Sequence, residues 1–235
     1  MDNKSLTRLI KTRFKDRFLI LFVSMIGLTI ITPILEGFVM IKILMDVIIT
    51  FVFISSIYAV SNKKSVAFIA SALALPMFIS LWVPMFISLW VPHLEKIPLL
   101  VLTGDFFGIL FLAFIVVVIL SFIFKERNVS LNVIYASIVV YLLLGLMWSF
   151  IFKVVESLQP GSFSVPHQML GEGRSLFSYY SFVTITTLGY GDITPIKGAA
   201  RAFSELEAVV GQIYLVVLVA RLVGINIAQT IKKEK

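Results

Sequence analysis

The sequence of 235 residues contains no cysteine and only two histidines, His93 and His167. Without cysteine there is no disulfide, no thiolate metal ligand and no cysteine nucleophile. Two histidines far apart in the sequence leave little material for a zinc site or a serine–histidine–aspartate triad. The charged residues form no recognisable catalytic arrangement. The sequence therefore predicts a protein that is not an enzyme and that needs no cofactor.

Charge is also scarce. Only 14% of the residues are charged, whereas 59% are hydrophobic and the mean hydropathy is +1.02. Soluble domains are nearer to about 45–50% apolar. The composition therefore predicts an integral membrane protein.

Six apolar runs are long enough to cross a bilayer, for which about 20 residues are needed. They lie at residues 18–35, 38–60, 66–91, 97–124, 131–155 and 200–231. A shorter apolar segment at 175–186 is too short to span and is typical of a re-entrant helix. The pattern predicts an all-α integral membrane protein with six transmembrane helices and one re-entrant helix.

Lysine and arginine indicate the orientation of these spans. Most of the 20 basic residues lie in segments that are cytoplasmic if the N-terminus is inside. The positive-inside rule then predicts cytoplasmic termini in a multi-pass protein of the plasma membrane, with residues 156–199 outside. The basic segment 1–17 is expected to contact anionic lipid head groups. This segment contributes to the net charge of +7 without any need for a nucleic-acid partner.

The stretch TTLGYGD, residues 186–192, follows the re-entrant segment and is called the filter stretch below. Non-helical backbone at membrane depth must be buried in protein or line a water-filled path. Gly189 and Gly191 allow positive φ. Their alternation with Leu188 and Tyr190 lets successive carbonyls face one side, where they can replace the hydration shell of a cation. The C-terminal dipole of the re-entrant helix also favours a cation.

The filter stretch resembles the selectivity filter of potassium channels, in which backbone carbonyls replace the water around K⁺. The resemblance covers about residues 131–231, as an outer helix (131–155), a pore helix with its filter (175–192) and an inner helix (200–231). It implies a tetrameric potassium-channel fold, because one chain supplies one strand of a fourfold filter. The expected organisation is a basic cytoplasmic N-terminus (1–17), a four-helix transmembrane domain (18–130) and a pore domain (131–235).

The same resemblance implies roles for individual residues. The ion-binding filter residues are Thr187, Leu188, Gly189, Tyr190 and Gly191, with K⁺ at the first four. The residues expected to support the filter are Thr186, Asp192, Tyr179, Tyr180 and Val183, with Tyr190 pointing into a cuff formed by the two other tyrosines. Gly211 matches the position of the hinge glycine in the inner helix, and close helix packing is the alternative role.

Several charged positions complete the predictions. The fourth run carries Asp105 and no arginine. A steep voltage sensor needs repeated arginines, because each charge moved is worth about 2.3 kcal/mol per 100 mV. We therefore expect a leak-like conductance. Because only a few residues follow the inner helix, we also expect no cytoplasmic ligand-binding domain. Lys42 and Asp46 are predicted to pair at i, i+4, with a lipid or ligand site as the alternative.

Two charged residues of the inner helix have less obvious partners. Glu207 is an expensive carboxylate for a membrane span, and it is expected to contact the pore helix or the back of the filter. Arg221 is expected to extend to the cytoplasmic interface.

The third run contains an exact repeat. The octapeptide PMFISLWV occupies residues 76–83 and again 84–91. The second copy lengthens the run and is expected to place Trp82 and Trp90 in an interfacial segment. Pro76 and Pro84 are expected to kink the helix.

These observations predict a homotetrameric potassium channel that conducts K⁺ passively. Two alternatives remain open. One is a non-conducting or regulatory subunit of a heteromeric potassium channel, whose filter motif would look the same. The other is a potassium transporter with degenerate pore loops, which the single intact GYG disfavours because such chains carry four pore repeats. A separate regulatory subunit could accompany the homotetramer.

Overall fold

The structure, a computed structural model, describes residues 17–34, 41–61, 63–90, 98–169 and 174–233. Its helices are α1 (Arg17–Ile34), α2 (Ile41–Val60), α3 (Lys64–Trp90), α4 (Pro98–Lys125), α5 (Leu131–Leu158), α6 (Arg174–Ile185) and α7 (Gly198–Lys233). Two short strands, β1 (Phe163–Ser164) and β2 (Thr194–Pro195), pair antiparallel, and a single 3₁₀ turn covers His167–Met169. Apart from this strand pair, the residues that the structure describes form an all-α fold.

Five of these helices, α2 to α5 and α7, are long and apolar enough to cross a membrane. Helix α1 coincides with the first predicted span to within one residue at each end, with 18 residues and a length of about 27 Å. The 12 residues of α6 reach only about 18 Å, so α6 cannot span. The prediction of an all-α integral membrane protein is confirmed, with five clear spans among the described residues. The predictions for residues 1–16 and for the side chain of Lys42 lie outside the described residues.

Helix α5 connects the two halves of the chain. Helices α1 and α4 both pack against α5, α3 packs against α4, and α2 packs between α1 and α3. Phe53 of α2 stacks on Phe111 of α4, with ring centroids 4.4 Å apart. Because only residues 126–130 separate α4 from α5, α4 lies beside α5 of its own chain. Helix α5 therefore joins the first four helices, through α1 and α4, to α6 and α7.

An ion pair is buried where α4 meets α5. Lys153 Nζ lies 2.7 Å from Oδ1 and 2.5 Å from Oδ2 of Asp105, which is fully buried. A buried carboxylate needs such a partner, because desolvation penalises an unpaired charge heavily. Next to it, Gly104 lets α3 and α4 come close, since a Cβ there would lie 1.8 Å from Ser80 Oγ. Asp105 is thus a packing residue of α4.

The repeated octapeptide lies inside one continuous helix. Helix α3 runs through both Pro76 and Pro84 for 27 residues. Trp82 is half-buried, and its Nε1 donates a hydrogen bond to Thr50 Oγ1 of α2 at 3.1 Å. Its indole N–H thus finds a partner within the bundle, and the interfacial position of Trp82 stays a prediction. The side chain of Trp90 lies outside the described residues.

Candidate ion-conduction site

Helix α6 is held between α5 and α7 by hydrogen bonds near its middle and at its C-terminal end. Near its middle, Tyr180 OH lies 2.6 Å from Ser204 Oγ of α7. Ser204 donates its own hydrogen to Ala200 O, so Tyr180 is the donor in this contact. At the C-terminal end, Tyr141 of α5 donates to the carbonyl of Ile185 at 3.1 Å. These contacts fix the helix that leads directly into the filter stretch.

The filter stretch has an alternating backbone. Thr187, Gly189 and Gly191 have positive φ values of 59°, 58° and 78°. Glycine adopts this region freely, whereas a threonine there is uncommon and is strained unless its surroundings hold it. Alternation between the two backbone regions turns successive peptide groups to the same side. The filter stretch therefore has the backbone that a row of parallel carbonyls requires.

Hydrogen bonds show which way these peptide groups face. The N–H groups of Leu188 and Gly189 both donate to the carbonyl of Val183 in α6, at 3.0 and 3.2 Å. None of the described peptide bonds is cis, and a trans peptide directs its N–H and C=O in opposite directions. The carbonyls of Thr187 and Leu188 therefore point away from α6, to the open side of the chain. Val183 acts through its backbone, and its side chain is buried.

Tyr179 supports the far end of the filter stretch. Its hydroxyl donates to Asp192 Oδ2 at 2.6 Å, and its ring lies nearly parallel to that of Tyr190, with centroids 6.5 Å apart. Burial and the hydrogen bond to Asp192 raise the pKa of Tyr179 to about 12, so the phenol keeps its proton near neutral pH. Asp192 Oδ1 also accepts the N–H of Ile193 at 2.9 Å. The carboxylate thus ties the end of the filter stretch to α6.

Tyr180 differs from the cuff that the sequence predicts. Its ring packs edge-on against Phe152 of α5 and Phe163 of β1, and its hydroxyl faces α7. Consecutive residues of a helix point about 100° apart. For this reason only Tyr179 reaches Tyr190, and Tyr180 stabilises the packing of α6 instead.

One side of this region is left open by the chain itself. Residues 186–191 are all exposed, including Leu188 at 55% and Tyr190 at 66%. Only 6% of the apolar window of α7 is buried, against 61% for α5. The exposed apolar residues of α7 include Leu206, Val209, Ile213, Val216, Val219, Val223 and Ile227. Helix α7 and the filter stretch therefore share a surface on which lipid or further chains can pack.

Gly211 lies where α7 crosses the end of α6. A Cβ at this position would lie 2.6 Å from Ile185 Cγ1 and 2.9 Å from the Ile185 carbonyl oxygen. Helix α7 is continuous from Gly198 to Lys233. The contact favours the packing role for Gly211, whereas Gly224 has open space around it.

Glu207 lies one turn before Gly211 and is fully buried. Its Oε1 lies 2.5 Å from Ser181 Oγ of α6. The expected contact between this carboxyl group and the helix in front of the filter stretch is thus present in the structure.

Arg221 is anchored on α4, which the sequence did not indicate. Its Nη2 donates to the carbonyls of Ile123, Phe124 and Glu126 at 3.0, 2.6 and 3.1 Å. The guanidinium carbon also lies 4.9 Å from the ring centroid of Phe124. The contacted carbonyls lie at the C-terminal end of α4 and just beyond it, where backbone carbonyls lack intrahelical partners and attract a cation, and the expected extension of Arg221 to the cytoplasmic interface stays a prediction. Arg221 therefore joins α7 to the first four helices.

The loop between α5 and α6 is also fixed by a carboxylate. Glu156 accepts the N–H groups of Gly161 and Ser162 at 2.7 and 2.8 Å. Ser162 O in turn accepts the N–H of Ile196 at 2.7 Å, beside the β1–β2 pair. These bonds tie the segment after the filter stretch to the end of α5. Nothing in the local sequence marks Glu156 for this role.

The comparison with known families bears on the same elements. Residues 129–227 match the family model described as "Ion channel", which covers α5, α6, the filter stretch and most of α7. This region is similar to the ion-channel family. The chain is accordingly a multi-pass membrane protein with a region that matches an ion-channel domain. No curated protein and no solved structure matches the chain.

Proposed function

We propose that the chain is one subunit of a homotetrameric potassium channel that conducts K⁺ passively across the plasma membrane, with both termini in the cytoplasm. The observation that carries this proposal is the backbone of the filter stretch. Positive φ recurs at every second residue from 187 to 191, and two amides bind back to Val183. K⁺ is stripped of water by rings of backbone carbonyls. The carbonyls of Thr187, Leu188, Gly189 and Tyr190 are the proposed ligands.

The exposure of α7 supports assembly around this strand. A single strand offers a cation ligands on one side only, so a filter needs copies of the strand around an axis. The filter stretch and the largely uncovered α7 lie on the open side of the chain. In the proposed homotetramer, neighbouring subunits cover part of this surface and the remainder faces the pore or lipid.

The charges of α4 support a conductance without steep voltage dependence. Its acidic residue, Asp105, is paired with Lys153 of α5. A neutral pair fixed between two packed helices carries no net charge through the field, so it supplies no gating energy. We propose that opening is leak-like, and voltage steps in planar bilayers should change the open probability only weakly.

Ion flux into liposomes containing the purified protein tests the proposal. We expect K⁺ uptake that Ba²⁺ blocks and that greatly exceeds Na⁺ uptake. Gly189→Ala should abolish K⁺ uptake, because Gly189 has φ +58°. The matched control is Gly198→Ala, at a position with open space and no positive φ. Equal Na⁺ and K⁺ uptake by the wild-type protein would refute the assignment of the filter.

The alternative is a non-conducting or regulatory subunit of a heteromeric potassium channel. It predicts folded protein that takes up no K⁺ on its own. Native mass spectrometry in detergent separates the two cases, since the homotetramer gives a mass of four identical chains.

A further inference from the structure

Glu207 is a buried carboxyl group beside the filter region. Its side chain has no exposed area, and it faces α6 from the half of α7 nearer the filter stretch. Among the described residues its Oε2 has no hydrogen-bond partner, and it forms no ion pair. An ionised carboxylate in such a place lacks the compensation that buried charges require. The surroundings therefore favour the neutral acid.

The hydrogen count at Ser181 points the same way. Ser181 Oγ lies 2.6 Å from the carbonyl oxygen of Gly145 in α5 and 2.5 Å from Glu207 Oε1. A serine hydroxyl has one hydrogen to donate, and both a carbonyl and a carboxylate only accept. Both contacts are hydrogen bonds when Glu207 carries a proton, donates it to Ser181 Oγ, and leaves the serine hydrogen for Gly145. A carboxylate would leave one of the two contacts without a hydrogen.

We propose that Glu207 is a protonated positioning residue, which links α7 through Ser181 to α6 and α5, and that loss of its proton at alkaline pH closes or disorders the filter. The expected effect on the filter rests on the proposed channel function, whereas the protonation of Glu207 does not.

The link acts on the filter stretch through α6. Ser181 lies two residues before Val183, whose carbonyl accepts the N–H groups of Leu188 and Gly189. A displacement of α6 therefore moves the acceptor that holds the filter backbone. Glu207 does not touch the proposed K⁺ ligands. Its role is to position α6, which binds the backbone of the filter stretch.

Deprotonation would leave the negative charge without a counter-charge. In this step the carboxyl O–H bond breaks and the proton passes to hydroxide from the solvent. The titratable groups that interact with Glu207 from the packed helices are Tyr141 of α5 and Tyr180 of α6. Both are phenols that cannot become positive. The new carboxylate would be stabilised only by water or by helix movement, and either change disturbs the contact at Ser181.

K⁺ flux as a function of pH tests the functional part. The wild-type protein should conduct at neutral pH and lose flux several-fold in strongly alkaline buffer. Glu207→Gln should conduct at both pH values, because the amide is neutral and can donate to Ser181 Oγ. The matched control is Glu205→Gln, an exposed glutamate on the same helix, which should keep the alkaline loss. An equal alkaline loss in Glu207→Gln, or no loss in the wild type, would overturn the proposal.

Infrared spectroscopy tests the protonation without any ion flux. The wild-type protein and Glu205→Gln should both show the C=O band of a protonated carboxyl group at neutral pH, and Glu207→Gln should lack it. Absence of the band from the wild type would overturn the assignment even if the protein conducts K⁺. A band without K⁺ flux would uphold the protonated link and contradict the channel proposal instead.

Discussion

Replacing Gly211 by alanine adds one methyl group where α7 crosses the end of α6. The new Cβ would lie 2.6 Å from Ile185 Cγ1 and 2.9 Å from the Ile185 carbonyl oxygen, both closer than real Cβ contacts. The side chain of Ile185 is fully buried, so it has no free space into which to move. The carbonyl oxygen belongs to the backbone and also binds Tyr141. Relief of the overlap therefore requires α7 to shift away from α6.

The expected free-energy change combines two opposing effects. Overpacking of this kind costs about 1–3 kcal/mol. Alanine gains about 0.5–1 kcal/mol over glycine within a helix. Gly211→Ala should therefore destabilise the fold by up to about 2.5 kcal/mol, which lowers the melting temperature by up to roughly 10 °C at this chain length.

Gly224→Ala provides the matched control on the same helix. A Cβ at Gly224 would meet nothing within 4 Å. This variant gains the helix propensity without the overlap, so its melting temperature should equal or exceed that of the wild type. The assay is the loss of the monodisperse peak in size-exclusion chromatography after heating in detergent.

The reasoning would be refuted if Gly211→Ala melted at or above the temperature of Gly224→Ala. That result would remove the packing role and favour the hinge role, in which the methyl group alters the open probability and leaves stability unchanged. Single-channel recording of the same two variants would then show whether the open probability has changed.

Three further predictions concern the links around the pore domain. Tyr179→Phe removes the hydrogen bond to Asp192, and K⁺ flux should fall several-fold while the yield of folded protein stays unchanged; unaltered flux would contradict the supporting role. Asp105→Asn removes the negative charge that faces Lys153 and should destabilise the protein by about 3–5 kcal/mol, as breaking a buried ion pair does. Most of that loss should be recovered in the double variant Asp105→Leu/Lys153→Met, and a double variant as unstable as the single one would argue against the pair. Arg221→Gln removes the guanidinium charge that faces the backbone carbonyls at the end of α4. The melting temperature should fall by an amount equivalent to about 1.5–3 kcal/mol, and an unchanged melting temperature would show that this link is not stabilising.

The spans were predictable from the sequence because membrane helices are long and apolar. Helices α2 to α5 and α7 begin and end close to the predicted bounds, since charged or turn-forming residues follow each apolar run. The alternating backbone of the filter stretch was also predictable from the sequence, because glycine at positions 189 and 191 marks two of the positive-φ sites. Thr187, the third such site, gave no signal, because the strain on a threonine is imposed by its surroundings.

The contacts between helices were not predictable in the same way. Helix α4 is apolar on all sides, so its sequence does not show which face packs, and Asp105 could not be matched with Lys153 of α5. The same holds for Arg221, whose partners are backbone carbonyls that no sequence pattern displays. The role of Gly211 depends on how closely α6 and α7 approach, which is a property of the packed structure. Sequence periodicity predicts which residues form helices, whereas the rotation of each helix about its axis and its depth in the bundle follow from packing.

The reversal potential of single channels between unequal K⁺ and Na⁺ solutions in a planar bilayer tests the central claim most directly. A filter built from the carbonyls of residues 187–190 predicts a reversal potential close to the K⁺ equilibrium potential. A reversal potential near zero with the two cations on opposite sides would contradict the claim that this backbone selects K⁺.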